Sequence, residues 1–246
     1  MKKSILLLLM TFLGHFAYSQ EELVVGLHYV TVKTSDEQKL IDLEKNIFSK
    51  LHKNTINEGR KIGYDLWKVM NDDDNLHTTF IYAHLEPKFE FSWNWDKQTL
   101  ISQTELALAQ EKWRNLVVKD HIIITTYKGG FAPVNETPVS YALLGFAKVD
   151  PTQHYNYEKM ELNDFMPYHK ANKLVKGWGL HKIVSPTGEN DVNYITANFF
   201  ESMEDIYENN NNVSKLSGKD LTNYKNILKV RTITNYEVSQ LVLSVR

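Results

Sequence analysis

The sequence predicts an α+β chain in which one βαββαβ arrangement occurs twice, with the two antiparallel sheets packed face to face or closed into a barrel and helices outside. Three observations predict it. Short anchors recur in the same order at a nearly constant separation. The segments between them alternate between runs rich in β-branched and aromatic residues and runs of helical spacing. The strand candidates are apolar on both faces, so each sheet needs cover on both sides.

The anchors run as follows. Gly26 to Lys33 matches Tyr141 to Lys148 (141 − 26 = 115). Leu43-Glu44-Lys45 matches Tyr157-Glu158-Lys159 (157 − 43 = 114). Gly63 to Val69 matches Gly177 to Ile183 (177 − 63 = 114), and Thr78 to Glu86 matches Asn193 to Glu201 (193 − 78 = 115). A weaker anchor pairs Thr125-Thr126-Tyr127 with Thr234-Asn235-Tyr236 after a shorter loop. Several matches in register point to duplication. By this alignment His28 corresponds to Leu143, and Trp67 to His181.

In the first unit, Leu23 to Lys33 has strand composition. Ser35 or Asp36 can cap a helix to about Glu58, with Leu40, Leu43, Ile47 and Leu51 on one face and Gly59 ending it. Strands follow at Ile62 to Met70 and His77 to Leu85, joined by the acidic turn Asn71 to Asn75. Lys97 to Leu116 has helical spacing, and His121 to Tyr127 is the fourth strand. The second unit repeats the order: a strand at Tyr141 to Val149 and a helix at Tyr155 to Lys173, where Pro167 follows an Asp164 cap or marks a kink. Strands then lie at Trp178 to Val184 and Val192 to Phe200, around the turn Ser185 to Gly188. A helix spans Ser202 to Leu228, interrupted by Asn209 to Asn212. Val230 to Tyr236 is the last paired strand, with Val238 to Val245 available to extend the sheet. The expected boundaries are a signal at 1–19, a first repeat at 20–128, a Gly- and Pro-rich linker at 129–139 and a second repeat at 140–246.

A βαββαβ half is the ferredoxin-like unit. Two such units in tandem, with strands such as Thr79 to His84 and Tyr64 to Val69 apolar on both faces, resemble the dimeric α+β barrel superfamily. That superfamily includes antibiotic-biosynthesis-monooxygenase-like, EthD-like and NIPSNAP-like proteins. The resemblance covers nearly all of the chain after residue 19 and lies in element order and the repeat; no diagnostic motif accompanies it. It implies a barrel formed within one chain, with a small-molecule pocket between a sheet and its own helices or inside the barrel. Duplicated ferredoxin-like chains include the haem-binding chlorite-dismutase-like group, so haem stands as an alternative. That group's haem-ligand segment has no match here, and no cofactor is expected.

The first residues read as a secretory signal: Lys2 and Lys3, an apolar stretch from Ile5 to Leu13, then Ala17-Tyr18-Ser19. The stretch is shorter than the roughly 20 residues that span a bilayer. Cleavage after Ser19 would free an exported chain, periplasmic or extracellular, with no integral membrane segment. The absence of cysteine rules out lipid acylation at that site, disulfides and thiolate metal sites. A formal net charge of −2 without a basic stripe argues against nucleic acid as a partner. A hydrophobic content of 42% is that of a folded chain.

No His-Glu-x-x-His, P-loop, GxGxxG or GxSxG pattern is present, which removes the corresponding hydrolase, nucleotide and dinucleotide readings. Histidine is the remaining reactive side chain. His28 lies mid-strand among apolar residues, Tyr82 and His84 share a strand face, and Trp67 and His181 occupy equivalent positions. Each of these is also explained by ordinary packing. Together, His28, Trp67, Tyr82, His84 and His181 are the candidate lining of a cavity for a small apolar or aromatic molecule, bound or transformed there. Glu161 stands two turns before His169, too far for a chelate within that helix, and no metal site is expected. His52, His121 and His154 read as surface or strand-end residues. Trp93 and Trp95 are either a buried loop anchor or an exposed contact; the latter would make the chain a non-catalytic envelope module that binds a protein or glycan.

Overall fold

The computed structural model describes residues 23–71, 75–89, 95, 98–132, 139–187 and 192–246. Eight antiparallel strands close a barrel in the order β1-β3-β2-β8-β5-β7-β6-β4. In chain order these are β1 (Val24–Lys33), β2 (Gly63–Val69), β3 (His77–Glu86), β4 (Val117–Phe131), β5 (Tyr141–Val149), β6 (Gly177–Ser185), β7 (Tyr194–Phe200) and β8 (Arg231–Val245). Each half contributes four strands in the ferredoxin-like order, β4-β1-β3-β2 and β8-β5-β7-β6. The halves join where β2 pairs with β8 and β4 with β6.

Both seam strands are longer than their sequence signals. β8 runs unbroken through Tyr236, so the two C-terminal segments are one strand. β4 begins at Val117 and continues through Gly129-Gly130, which belong to the sheet and not to a linker. At Gly130 a side chain is forbidden: φ is +157°, and a Cβ would lie 2.1 Å from the carbonyl oxygen of Trp178 on β6. The strand crosses its neighbour too closely for anything but glycine. The rest of the expected linker, 133–138, lies outside the described residues, as do the signal segment, Asp72 to Asp74, Trp93 and Gly188.

Alternation along the strands divides the core. Leu27, Tyr29, Trp67, Ile81, Leu144 and Ile195 point into the barrel. Val30, Tyr64, Leu66, Phe80 and Tyr82 point outward under the first half's helices, and Tyr157, Trp178, Leu180, Tyr194 and Phe200 do so in the second. Each fully buried aliphatic side chain of this set contributes about 1.5–3 kcal/mol of burial.

The helices also match in pairs. In the first half α1 (Glu37–Leu43) passes through a π-turn, Glu44–Phe48, into α2 (Ser49–Asn57), and Gly59, at φ +71°, follows the helix end. In the second, α4 (His154–Met160) passes through the π-turn Glu161–Phe165 into α5 (Met166–Ala171). Pro167 sits just beyond that π-turn. Between these pairs, α3 (Gln103–Leu116) starts at a capping box of Ser102 and Glu105, five residues later than Lys97. In the second half α6 (Met203–Asn212) and α7 (Gly218–Ile227) are separated by a short 3-10 turn, Val213–Lys215, so Asn209 to Asn212 are helical and the break follows them.

The register of the repeat differs from the sequence alignment in its first third and, by one residue, at the third strand, where the offset is 114 and not 115. β2 and β6 align at 114, and Tyr64 pairs with His84 as Trp178 pairs with Asn198. His28 pairs with Tyr82 and Gly145 with Thr196, so the counterpart of His28 is Gly145, not Leu143. From β1 through the π-turns the offset is therefore 117, and Glu44 corresponds to Glu161. The match of Leu43-Glu44-Lys45 to Tyr157-Glu158-Lys159 is one helical turn out. The three residues are recovered in α5, which has 6 residues against 9 in α2.

Candidate functional site

At an offset of 117 a second repeat becomes visible in the sequence, Glu44-x-Asn46-x-Phe48-x-x-x-His52 and Glu161-x-Asn163-x-Phe165-x-x-x-His169. In each half this segment is the π-turn and the helix after it, and its Glu, Phe and His face the outer surface of the barrel sheet. π-turns inside helices occur frequently at functional sites.

In the first half these side chains wall a cavity of about 330 Å³ between sheet and helices, with His28, Tyr82 and His84 on the sheet side and Trp95 and Trp113 opposite. Glu44 is 1% exposed. Tyr64 Oη donates to its Oε2 at 2.8 Å. Burial raises the Glu44 carboxyl from 4.5 to about 7, against the opposing pull of hydrogen bonds from Tyr64 and Tyr82. Burial, followed by the nearby Glu44 charge, also drives both phenols well above their ordinary range, so they remain neutral donors. Trp113 Nε1 donates to Tyr82 Oη at 3.2 Å and fixes that ring.

The three histidines at this cavity have different surroundings. His28 Nε2 meets Asp120 Oδ2 at 2.9 Å at the half-open end. His84, 2% exposed, has Nδ1 3.2 Å from Lys61 Nζ, and Lys61 is in turn ion-paired with Glu86 in full burial. Burial first, then the Lys61 charge, holds His84 well below its ordinary range. His52 is buried, not a surface residue; its ring stacks on Tyr64 with centroids 3.9 Å apart, and its Nδ1 has no hydrogen-bond partner. Burial and then Lys61 lower its pKa as well.

Trp95 packs on Phe48 at 5.3 Å and sets its edge against His52 at 5.2 Å. Its ring is a wall of this cavity, the loop-anchor alternative, and not an exposed contact. His121 stacks on Tyr29 at the barrel end, at 4.8 Å.

Trp67 and His181 are not part of this cavity. They project through the sheet into the barrel, where a separate cavity of about 360 Å³ has a largely aliphatic lining, including Leu27, Ile81, Leu144 and Ile195. Burial lowers His181 to about 4, so it is a neutral imidazole there, 3.4 Å from Thr125 Oγ1. The five residues singled out in the sequence thus divide three to two across the barrel wall. Their strand positions were readable, but facing direction relative to the helices needed the register. Glu44, His52 and Trp113 were missed as site residues because their helical segments were aligned one turn out or read as packing faces.

The first cavity lies near the lower end of the roughly 300–1,000 Å³ range of ligand pockets. Its sheet histidines direct Nε2 of His28 to Asp120 and Nδ1 of His84 to Lys61. The corresponding cavity of the second half is only about 130 Å³. No group of three or more His, Asp or Glu side chains that could hold a metal ion occurs among the described residues. No described helix is long and apolar enough to cross a membrane.

No family model and no curated protein matches the sequence. Solved structures do match the fold. A candidate monooxygenase from Lactobacillus acidophilus NCFM aligns with a TM-score of 0.59 at 10% identity, over 92% of this chain and 96% of its own. A second, from Fusobacterium nucleatum subsp. nucleatum, aligns with a TM-score of 0.60 at 8% identity, over 93% and 96%. An anthrone oxidase-like protein aligns with a TM-score of 0.55 at 10% identity, over 92% and 93%. At these identities the likeness is one of fold. The chain has the dimeric α+β barrel fold, closed within a single polypeptide.

Proposed function

We propose that the cavity under the first half's helices binds a small planar aromatic molecule carrying a hydroxyl group, and that Glu44 exchanges a proton with it. The observation that carries this reading is a carboxyl group buried in an aromatic pocket, with no cation paired to it among the described residues, and held by burial at about 7. Structural carboxylates in cores are paired with a cation; a group poised near neutrality in a cleft is suited to general acid–base work. Benzene fills a cavity of about 150 Å³, so about 330 Å³ suits a two-ring molecule. The rings of Phe48, Tyr82, Trp95 and Trp113 offer stacking faces, and above pH 7 the Glu44 carboxylate accepts the ligand's hydroxyl proton. The description of one structural neighbour as anthrone oxidase-like accords with a hydroxyaromatic ligand.

Titrating tryptophan fluorescence with 1-naphthol between pH 5 and 8.5 tests this. Saturable quenching is expected, with an affinity that changes as pH crosses about 7, and the Glu44→Gln variant should bind with an affinity independent of pH. No saturable quenching, or the same pH dependence in the variant, would overturn it. Adding haemin under the same conditions is expected to give no Soret shift.

We further propose that residues 1–19 direct export to the periplasm or medium. N-terminal sequencing of protein recovered outside the cytoplasm should begin at Gln20; an unprocessed N-terminus would refute this.

A further inference from the structure

The second half repeats the cavity with different chemistry, and three polar atoms around it have no partner. His169 Nδ1, Asn198 Oδ1 and Arg231 Nε are buried without a hydrogen bond, and all three residues line the same space of about 130 Å³. Asn198 is 9% exposed, the Arg231 side chain 13%. A buried polar group left unmatched is costly, so three around one space point to a partner from outside the chain.

Their positions are equivalent to those of the first site. His169 corresponds to His52 and stacks on Trp178 at 5.7 Å as His52 stacks on Tyr64. Asn198 replaces His84, and Thr196 replaces Tyr82. Glu161, 1% exposed, replaces Glu44, but here Arg231 Nη1 pairs with it. Arg231 of β8 pairs with Val149 of β5 as Val117 of β4 pairs with Val32 of β1, so the cation stands where the first half has valine.

We infer that this cavity binds a small uncharged polyol, gripped by His169, Asn198 and Arg231. Charge selects against the alternatives. Among the described residues the lining carries Glu161, Asp164 and Asp220 against Arg231 as its one cation, which disfavours a carboxylate or phosphate. The unmatched Arg231 Nε–H needs an acceptor and repels a cation. Asn198 Oδ1 needs a donor, and the His169 imidazole, lowered to about 4 chiefly by burial and then by the Arg231 charge, is neutral and serves either role. A hydroxyl group both donates and accepts, so adjacent hydroxyls satisfy all three atoms. A space of about 130 Å³ is close to the roughly 150 Å³ that takes the six heavy atoms of benzene, which sets the size at glycerol or one end of a slightly larger polyol.

The test is NMR of the ring resonances of His169 in the full chain during addition of erythritol, with butyrate and tetramethylammonium as charged controls. A saturable shift with erythritol alone is expected, weakened at least tenfold in Asn198→Leu. Leu216→Trp, at a half-buried lining residue, should block the shift while leaving the fold intact, which covers the case in which the Asn198 variant is unstable. No saturable shift with erythritol, an equal response to butyrate, or an unchanged response in the Leu216 variant would overturn the inference. Because the readout is the His169 ring of the second half and not tryptophan fluorescence, its outcome is separate from that of 1-naphthol binding beside Glu44.

Discussion

Replacing Glu44 with glutamine should flatten part of the protein's stability profile between pH 4.5 and 7. The carboxyl ionises at 4.5 in its ordinary state and at about 7 in the fold, so the folded chain holds a proton the unfolded chain has released. A raised folded value means that stability is fully present below 4.5 and is lost as pH rises through 7. The difference of about 2.5 pH units, at 1.36 kcal/mol each, amounts to roughly 3 kcal/mol. Glutamine cannot ionise, and its carbonyl can still accept the Tyr64 hydrogen bond. Urea unfolding of both proteins at pH 4.5, 6 and 8 gives the comparison. The variant should gain roughly 3 kcal/mol on the wild type between the first and last condition, which at about 2–4 °C per kcal/mol for a chain of this size is roughly 6–12 °C in Tm. Parallel profiles would mean that Glu44 is ionised throughout and would remove the basis for its acid–base role.

The same logic predicts the effect of supplying a cation. Val117→Arg places a guanidinium where Arg231 stands in the other half, and should lower Glu44 by about 1–3 pH units and abolish the pH dependence of 1-naphthol affinity near neutrality; an unchanged Glu44 midpoint, followed by the carboxyl infrared band, would contradict the equivalence of the two halves. Gly130→Ala drives a methyl group into the Trp178 carbonyl and should cost about 3 kcal/mol or more, whereas Gly59→Ala, also at positive φ but facing open space, should cost on the order of 1 kcal/mol. Similar midpoints for these two variants in urea would show that the β4–β6 crossing is less tight than its geometry.

Element order was readable from the sequence because alternation, helical spacing and glycine stops are local signals. Tyr64 to Val69 and Thr79 to His84, apolar on both faces, already required a sheet covered on both sides. The closure of the barrel was one of two open arrangements, since seam pairings such as Leu66 with Leu243 have no local signature. The site was legible only in part. His28, Tyr82 and His84 do meet at one cavity, but Trp67 and His181 face the other way. The alignment of Glu44 with Glu158 followed a two-residue Glu-Lys identity, while the longer Glu-x-Asn-x-Phe-x-x-x-His pattern lay three residues further along. A shortened α5 shifted the frame, and a gap inside a helix leaves no mark on composition.

A barrel assembled from two separate copies must carry every substitution twice, in both pockets at once. Here β2 pairs with β8 and β4 with β6 inside one polypeptide, so a change in one half leaves the other untouched. The divergence of Val117 from Arg231 is of this kind: one pocket keeps an unpaired acid and the other neutralises it. In a single chain the two pockets need not stay alike, and each outer face of the barrel is free to diverge on its own.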